Sequence, residues 1–228
     1  MTSTAILIPA RYGSTRYPGK PLAMLDGVPM IRRVYDACTA SKLPTYVLTD
    51  DVRIADLVPK HRCYIDKTDY ANGTERCAGA VESRTFDDYD SFINVQGDMP
   101  DVTTEIITQA LLCLSSYDVG TVYTDMPKTM QDDPSTVKMV KNSNNAALWF
   151  GRGITGYGDW HLGVYSYTRE ALQIYNKLRI YSEENTEKLE QLRWLKNGWQ
   201  IGCLNVQFNG VEINSPEDVN TWQQKRLQ

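Results

Sequence analysis

Two rhythms alternate along this chain. Short continuous apolar runs mark strands buried on both faces, and stretches whose apolar positions return every three or four residues mark helices packed by one side. Ala5-Ile6-Leu7-Ile8 is the first run, and Pro9, which has no amide hydrogen to give a ladder, is its expected stop. Met30 to Ser41 carries Ile31, Val34, Tyr35 and Cys38 at helical spacing. Tyr46 to Thr49 predicts a second strand, Arg53 to Leu57 a short helix, Gly73 to Ser83 a longer one, and Ser91 to Val95 another buried strand. Thr103-Thr104-Glu105 introduces a helix running towards Leu114. Such β-α-β-α alternation implies an α/β fold in three layers, a mostly parallel sheet with helices on both faces.

From about Val119 the alternation loosens. Gly120 to Thr124, Val137 to Val140, Leu148 to Phe150 and Leu162 to Tyr167 read as strands, with Gly151 to Gly158 as an exposed glycine-rich loop or lid. Glu183 to Lys196 predicts one helix, with Leu189, Leu192 and Leu195 as its apolar stripe and Glu184, Glu187 and Gln191 along its border. Ile201 to Phe208 returns as a strand. Ser215 is placed to cap a last helix, with Pro216 at its first position and Asp218 completing a capping-box-like pair. No repeat, low-complexity tract or linker divides the chain. The expectation is a single domain with a core of about 1–118, a small mixed-sheet extension of about 119–200, and a strand and helix, about 201–228, back on the core.

Composition narrows the class. A chain of 228 residues, 42% hydrophobic and 23% charged, can fill a core without disulfides or a structural metal. Its formal charge of −4 makes no general positive field for nucleic acid or an anionic membrane, so a phosphate has to be met by a local basic site. Five scattered cysteines with no Cys-x-x-Cys pair, and only two histidines, argue against a zinc site or a disulfide framework. No apolar run approaches membrane-spanning length and no basic segment precedes Ala5, so the expected setting is a reduced cytoplasm.

Two loops that follow buried strands carry the chemistry. The first runs Pro9-Ala10-Arg11-Tyr12-Gly13-Ser14-Thr15-Arg16-Tyr17-Pro18-Gly19-Lys20-Pro21. Its backbone amides and hydroxyls can cradle phosphate oxygens, while Arg11 and Lys20 supply positive charge. It is neither a P-loop nor a G-x-G-x-x-G fingerprint, but it starts where ligands of open parallel sheets bind, beyond the carboxyl end of a strand. A solvated basic turn is the competing reading, and three cations crowded into one such loop weigh against it. In the second, Val95-Gln96-Gly97-Asp98-Met99-Pro100, Asp98 suits Mg²⁺, which takes few carboxylates and completes its shell with substrate phosphates. Gln96 can read a base or a hydroxyl. An Asp-capped turn explains the same run equally well.

In order along the chain, R-x-x-S-T-R-x-P-G-K-P-L, Asn72-Gly73-Thr74-Glu75-Arg76 and V-Q-G-D-x-P closely resemble the CMP-Kdo synthetases, the 3-deoxy-manno-octulosonate cytidylyltransferases. The likeness continues through Asp133 to Lys138, His161-Leu162-Gly163-Val164-Tyr165, Leu189-Glu190-Gln191-Leu192-Arg193 and Ser215 to Val219, and covers nearly the whole chain. It implies a Rossmann-like nucleotidyltransferase that joins CTP and the sugar acid Kdo into CMP-Kdo and pyrophosphate with Mg²⁺. By the same resemblance Pro9, Ala10, Arg11, Ser14, Lys20, Thr74, Arg76 and Gln96 bind the nucleotide, and Lys20, Arg11 and Asp98 are catalytic. Asp98 and Asn214 take the metal; Arg152, His161, Tyr165, Glu184 and Gln191 line the sugar side. The 119–200 extension carries sugar binding and dimerisation, in a cytoplasmic homodimer with no nucleic-acid or membrane partner. Seven apart on the predicted helix, Glu184 and Gln191 would share a face; a solvent-exposed flank is the alternative, as a hydrogen-bonded core histidine is for His161.

Three places depart from that pattern. Asn214 stands where the family has a second metal-binding Asp, and offers a carbonyl oxygen without charge. Glu212, two residues earlier and on the same face of an extended segment, is a candidate surrogate. The stretch from Phe150 to His161 is shorter than the family's and keeps Arg152 but not its surroundings, which leaves the sugar open between Kdo, an 8-amino-Kdo and a nonulosonate. Tyr181-Ser182-Glu183 replaces Ser-Pro-Leu. A homologue that binds nucleotide without turnover is the remaining alternative: Asn214 favours it, and Lys20 and Asp98 oppose it.

Overall fold

In the computed structural model, which describes residues 3–13 and 17–226, the apolar runs assemble into one nine-stranded sheet. In chain order the elements are β1 (Thr4–Ala10), β2 (Met24–Leu25), β3 (Val28–Pro29), α1 (Met30–Thr39), β4 (Thr45–Thr49), α2 (Val52–Ala55), β5 (Cys63–Ile65), α3 (Gly73–Glu82), β6 (Ser91–Val95), α4 (Thr104–Leu112) and β7 (Val119–Thr124). They continue with β8 (Lys138–Lys141), β9 (Ala147–Gly151), β10 (Asp159–Thr168), α5 (Arg169–Ile174), α6 (Ser182–Glu187), α7 (Leu192–Lys196), β11 (Ile201–Asn205) and α8 (Pro216–Arg226). The main row runs β11-β7-β10-β6-β1-β4-β5, and only β10 is antiparallel to its neighbours. The β8–β9 hairpin hangs from the start of β10, and β2 and β3 form a separate antiparallel ribbon.

Alternation along β1 explains the three layers. Ile6, Ile8 and Ala10 face one core, with Ile31 and Val34 of α1, Ile106 of α4 and Trp222 of α8. Ala5 and Leu7 face the other, with Cys77 and Val81 of α3, Leu172 of α5 and Trp194 of α7. A strand buried on both faces has to be apolar at every position, which is why β1 reads as a continuous run. Trp222 fixes α8 to the first layer, its indole N–H donating to Asp101 Oδ1 at 2.9 Å. Ser215 and Asp218 cap that helix as expected, since Asp218 Oδ2 accepts from the Ser215 amide at 2.8 Å. Among the described residues no helix is long and apolar enough to cross a membrane, and all five cysteines are free thiols.

Two expectations are corrected. Pro9 does not end β1, because it pairs with Leu48 and the strand runs on to Ala10. The Ile6 amide donates towards β4, to Pro44 O, so the missing hydrogen of Pro9 faces β6, whose pairing with β1 stops at Leu7. Nor is Glu183 to Lys196 one helix. Lys188 turns into the left-handed region at φ 56°, and Leu189 to Gln191 is irregular before α7 begins. Smaller shifts are ordinary end effects; the last sheet strand, for example, stops at Asn205 instead of Phe208.

Candidate active site

Every strand of the main row except β10 points its carboxyl end at one rim of the sheet, and antiparallel β10 starts there. That rim gathers the loops after β1, β4 and β6, the N-terminus of α3, the α6–α7 junction and the segment returning from β11. Two cavities open side by side on it. The smaller, about 220 Å³, is lined by Pro9, Ala10, Arg11, Lys20, Tyr70 and Arg76 among others. The larger, about 380 Å³, is lined by Arg152, His161, Tyr165, Glu184, Gln191, Glu212 and Asn214 among others. Asn72, Gly73, Gln96 and Asp98 belong to both, and form the shared wall.

Local contacts hold the loop and the cations of the smaller cavity. The Gly19 amide donates to Tyr12 O at 2.9 Å, closing the basic loop; Gly19 takes a φ of 71°, where a side chain is strained, and a Cβ there would lie 3.2 Å from the Tyr12 ring. Asp50, just past β4, accepts from the Tyr12 amide at 3.1 Å and faces Arg76 at 3.7 Å. Arg76 is buried, donates to Asp66 O at 3.0 Å, and lies 5.1 Å from the Tyr70 ring centre. Lys20 Nζ and Asp98 Oδ2 meet at 2.5 Å, so the cation of the first loop is paired with the carboxylate of the second. Ser14 lies outside the described residues.

The larger cavity is built on β10. Strand alternation puts His161, Gly163 and Tyr165 against the pocket, with a bulge in the pairing with β7 between Leu162 and Tyr165. Burial, with the Arg152 charge adding to it, lowers His161 to about 3, and its Nε2 lies 3.0 Å from Thr121 Oγ1. It is a neutral, fixed ring on the pocket wall. The Tyr165 hydroxyl donates to Gln191 Oε1 at 3.0 Å, whereas Gln191 Nε2 is a buried donor with no protein partner among the described residues. The guanidinium of Arg152 donates to the carbonyls of Ser135 and Glu187. Glu212 accepts from the Gly163 amide, and burial together with the facing charge of Asp98 pushes its carboxyl up to about 7. Asn214 lines the same cavity with Glu212, while Ile213 between them is buried, as an extended segment requires.

The residues expected around the nucleotide therefore collect in one cavity and those expected around the sugar in the other, with two corrections. Thr74 lines neither; its hydroxyl pairs with Tyr167 at 2.9 Å and its amide donates to Glu190 at 2.7 Å. Glu184 and Gln191 do reach one cavity, but from α6 and from the junction before α7, not from one helical face. Glu184 is held by Arg193, which donates to both of its carboxylate oxygens and also meets Glu75 at 2.6 Å. Glu190, Arg193 and Asp50 escaped sequence reasoning. The first two stood inside a family motif with no pattern to show their contacts across the chain. Among the described residues no group of three or more His, Cys, Asp or Glu could hold a metal.

Comparison with known proteins agrees with this geometry. Residues 5–201 match the family described as cytidylyltransferase. The chain is 38% identical over 240 residues to the 8-amino-3,8-dideoxy-manno-octulosonate cytidylyltransferase of Shewanella baltica, with 98% of each chain covered. A solved structure of CMP:2-keto-3-deoxy-manno-octonic acid synthetase complexed with CTP matches with a TM-score of 0.89 and 31% identity, over 100% of this chain and 99% of that one. A 4-diphosphocytidyl-2C-methyl-D-erythritol synthase from Anaerococcus prevotii, 11% identical with a TM-score of 0.68, covers 100% of this chain and 99% of its own and shares the fold alone. The match to the family over most of its length makes the conclusion plain: this chain belongs to the cytidylyltransferases.

Proposed function

We propose that the chain transfers CMP from CTP to a 3-deoxy-manno-octulosonate-type sugar acid. The sugar's anomeric hydroxyl forms a bond to the α-phosphorus, and pyrophosphate and the hydroxyl proton are released. One observation carries this reading: a cationic cavity and a mixed polar cavity share a wall at Gly73, Gln96 and Asp98, so a nucleotide in one and a sugar acid in the other would meet there. Arg11, Lys20 and Arg76 would neutralise the triphosphate, and in-line displacement gains mainly from such positioning and charge. On the sugar side Arg152 offers charge to a carboxylate, and the unpartnered Gln191 Nε2 offers a donor to a hydroxyl or ring oxygen.

The oxygen donors of Asp98, Glu212 and Asn214 at one end of the larger cavity suit a hard cation that takes its remaining ligands from phosphate. Magnesium held there would polarise the phosphoryl oxygens. Asp98 and Asn214 would be its protein ligands, with Glu212 the alternative to Asn214. The core and extension boundaries near residue 118 divide the two cavities' roles in the same proposal. A homodimer joins it, with the exposed Leu148 of β9 as its support, and a cytoplasmic setting belongs to the same reading.

An 8-amino sugar is the second reading. The Shewanella relatives act on that substrate, and the carboxyls of Asp98, Glu184, Glu190 and Glu212 around the larger cavity would favour an added ammonium group. Pyrophosphate release with CTP and a panel of Kdo, its 8-amino analogue and a nonulosonate tests both. Turnover with an octulosonate is the expected result. Turnover with the nonulosonate alone, or with none of them, refutes the proposal.

A further inference from the structure

Glu190 sits in the irregular turn between α6 and α7 and reaches both cavities' shared wall. One carboxylate oxygen accepts from the Thr74 amide at 2.7 Å, at the start of α3; the other accepts from Gln96 Nε2 at 3.0 Å, just after β6. Gln96 is confined on two further sides by residues without side chains. A Cβ on Gly73 would lie 2.9 Å from both terminal atoms of the Gln96 amide, and a Cβ on Gly163 would lie 3.3 Å from Gln96 Cγ. The amide is therefore packed flat between α3 and β10, with Glu190 at its nitrogen end.

We propose that Glu190 is a positioning residue for nucleotidyl transfer: it fixes the polarity of the Gln96 amide, so that Gln96 meets the substrate with its carbonyl oxygen, as an acceptor for a hydroxyl or amine donor. A carboxylate only accepts, and a backbone amide only donates. With Glu190 ionised and one oxygen taken by Thr74, the other can pair only with the nitrogen end of Gln96. The two ends of a glutamine amide are nearly isosteric, so without a partner of fixed polarity either could face the ligand. Gln96 lines both cavities, so its orientation bears on whichever substrate group arrives at their junction. The turn that breaks the α6–α7 helix is what allows this reach. Further contacts hold the turn against α3, where Arg193 meets Glu75 at 2.6 Å.

The decisive variant is Glu190→Gln, of the same size and shape. Its carbonyl must still accept from Thr74, which leaves its NH₂ towards Gln96 and forces that amide to turn over. The assay is run at pH 8, above the value of about 7 to which burial raises Glu190. We expect kcat/KM to fall about 10- to 100-fold with the unfolding midpoint no lower than that of wild type, because removing a carboxyl raised to about 7 relieves a penalty at this pH. In a Gln96→Ala background the same change should lower kcat/KM by less than about 3-fold, because a residue acting through Gln96 has nothing left to position. Independent, multiplicative losses would overturn the proposal, as would a Glu190→Gln enzyme with wild-type rates.

This inference rests on the proposed reaction for its kinetic arm only. The second arm needs no turnover: nitrogen-15 spectra of the Gln96 side-chain amide at pH 8. The wild type should show one exchange-protected, downfield N–H that is lost in Glu190→Gln. Identical Gln96 resonances in the two proteins would overturn the proposal, whatever the enzyme acts on. A wild type inactive with every sugar acid, but showing the spectral change, would sink the proposed function and leave Glu190's role standing.

Discussion

Arg193 ties α7 to two other elements through charge, and removing it tests that packing severely. The guanidinium is 2% exposed, holds Glu184 at 2.6 Å and Glu75 at 2.6 Å, and lies 4.3 Å from the Tyr175 ring centre. Arg193→Met keeps the aliphatic stem but leaves two carboxylates facing each other, with Glu184 only 6% exposed. Breaking a buried pair from one side costs about 3–5 kcal/mol. A chain of this size loses roughly 2–4 °C per kcal/mol, so the unfolding midpoint at pH 8 should fall by about 6–20 °C. The loss should shrink at pH 5. Acid neutralises carboxylates, and a neutral carboxyl carries none of the unpaired charge that makes the single variant unstable. The triple variant Arg193→Met/Glu184→Gln/Glu75→Gln, which carries no charge, should recover most of the stability, because the penalty belongs to the unpaired ions. Scanning calorimetry of wild type and both variants at the two pH values decides it. A single-variant loss below about 3 °C at both pH values, or a triple variant no better than the single one, would refute the reasoning.

Lys20→Ala should leave the fold intact with a modest fall in the unfolding midpoint, since it packs little core but strands Asp98 beside Glu212, and slow pyrophosphate release by ~10²–10³; near-normal turnover would remove the basic loop from the chemistry. Glu212→Gln should stabilise the protein by about 1–3 kcal/mol at pH 8 and scarcely at pH 4.5, because a carboxyl raised from 4.5 to about 7 costs nothing below the lower value and its full penalty above the upper. Equal melting shifts at both pH values would contradict that. Titrating Mg²⁺ against initial rate should show a lower requirement in Asn214→Asp than in wild type; no change there, with activity abolished in Glu212→Gln, would transfer the ligand role to Glu212.

What the sequence made legible follows the reach of each signal. β1, β6 and the loops after them are readable because a strand buried on both faces is apolar throughout and its end is marked by Gly, Pro and charge within a few residues. The helix after Tyr181 is misread because its break depends on partners far away in the chain. Glu190 bonds to Thr74 and Gln96, 116 and 94 positions off, and Lys188 takes a conformation that its side chain does not advertise. Periodicity weighs only neighbours, so Leu189, Leu192 and Leu195 looked like one stripe. Thr74 shows the same limit inside the site. Its place in a motif marks it as important, but only the fold shows that it supports the wall from behind. His161 was open between core and pocket because a buried ring at a cavity's edge is both.

The Lys20–Asp98 pair has a consequence for how the enzyme keeps house between turnovers. Each group is the other's counter-ion. On the proposed reaction, nucleotide and magnesium would come as one complex, the lysine exchanging carboxylate for phosphate as the carboxylate exchanges lysine for metal. Binding is then a swap of partners, not a creation of charge contacts. Metal would come and go with each substrate, so an enzyme stripped by a chelator would regain full activity as soon as magnesium nucleotide is supplied, with no slow reloading step.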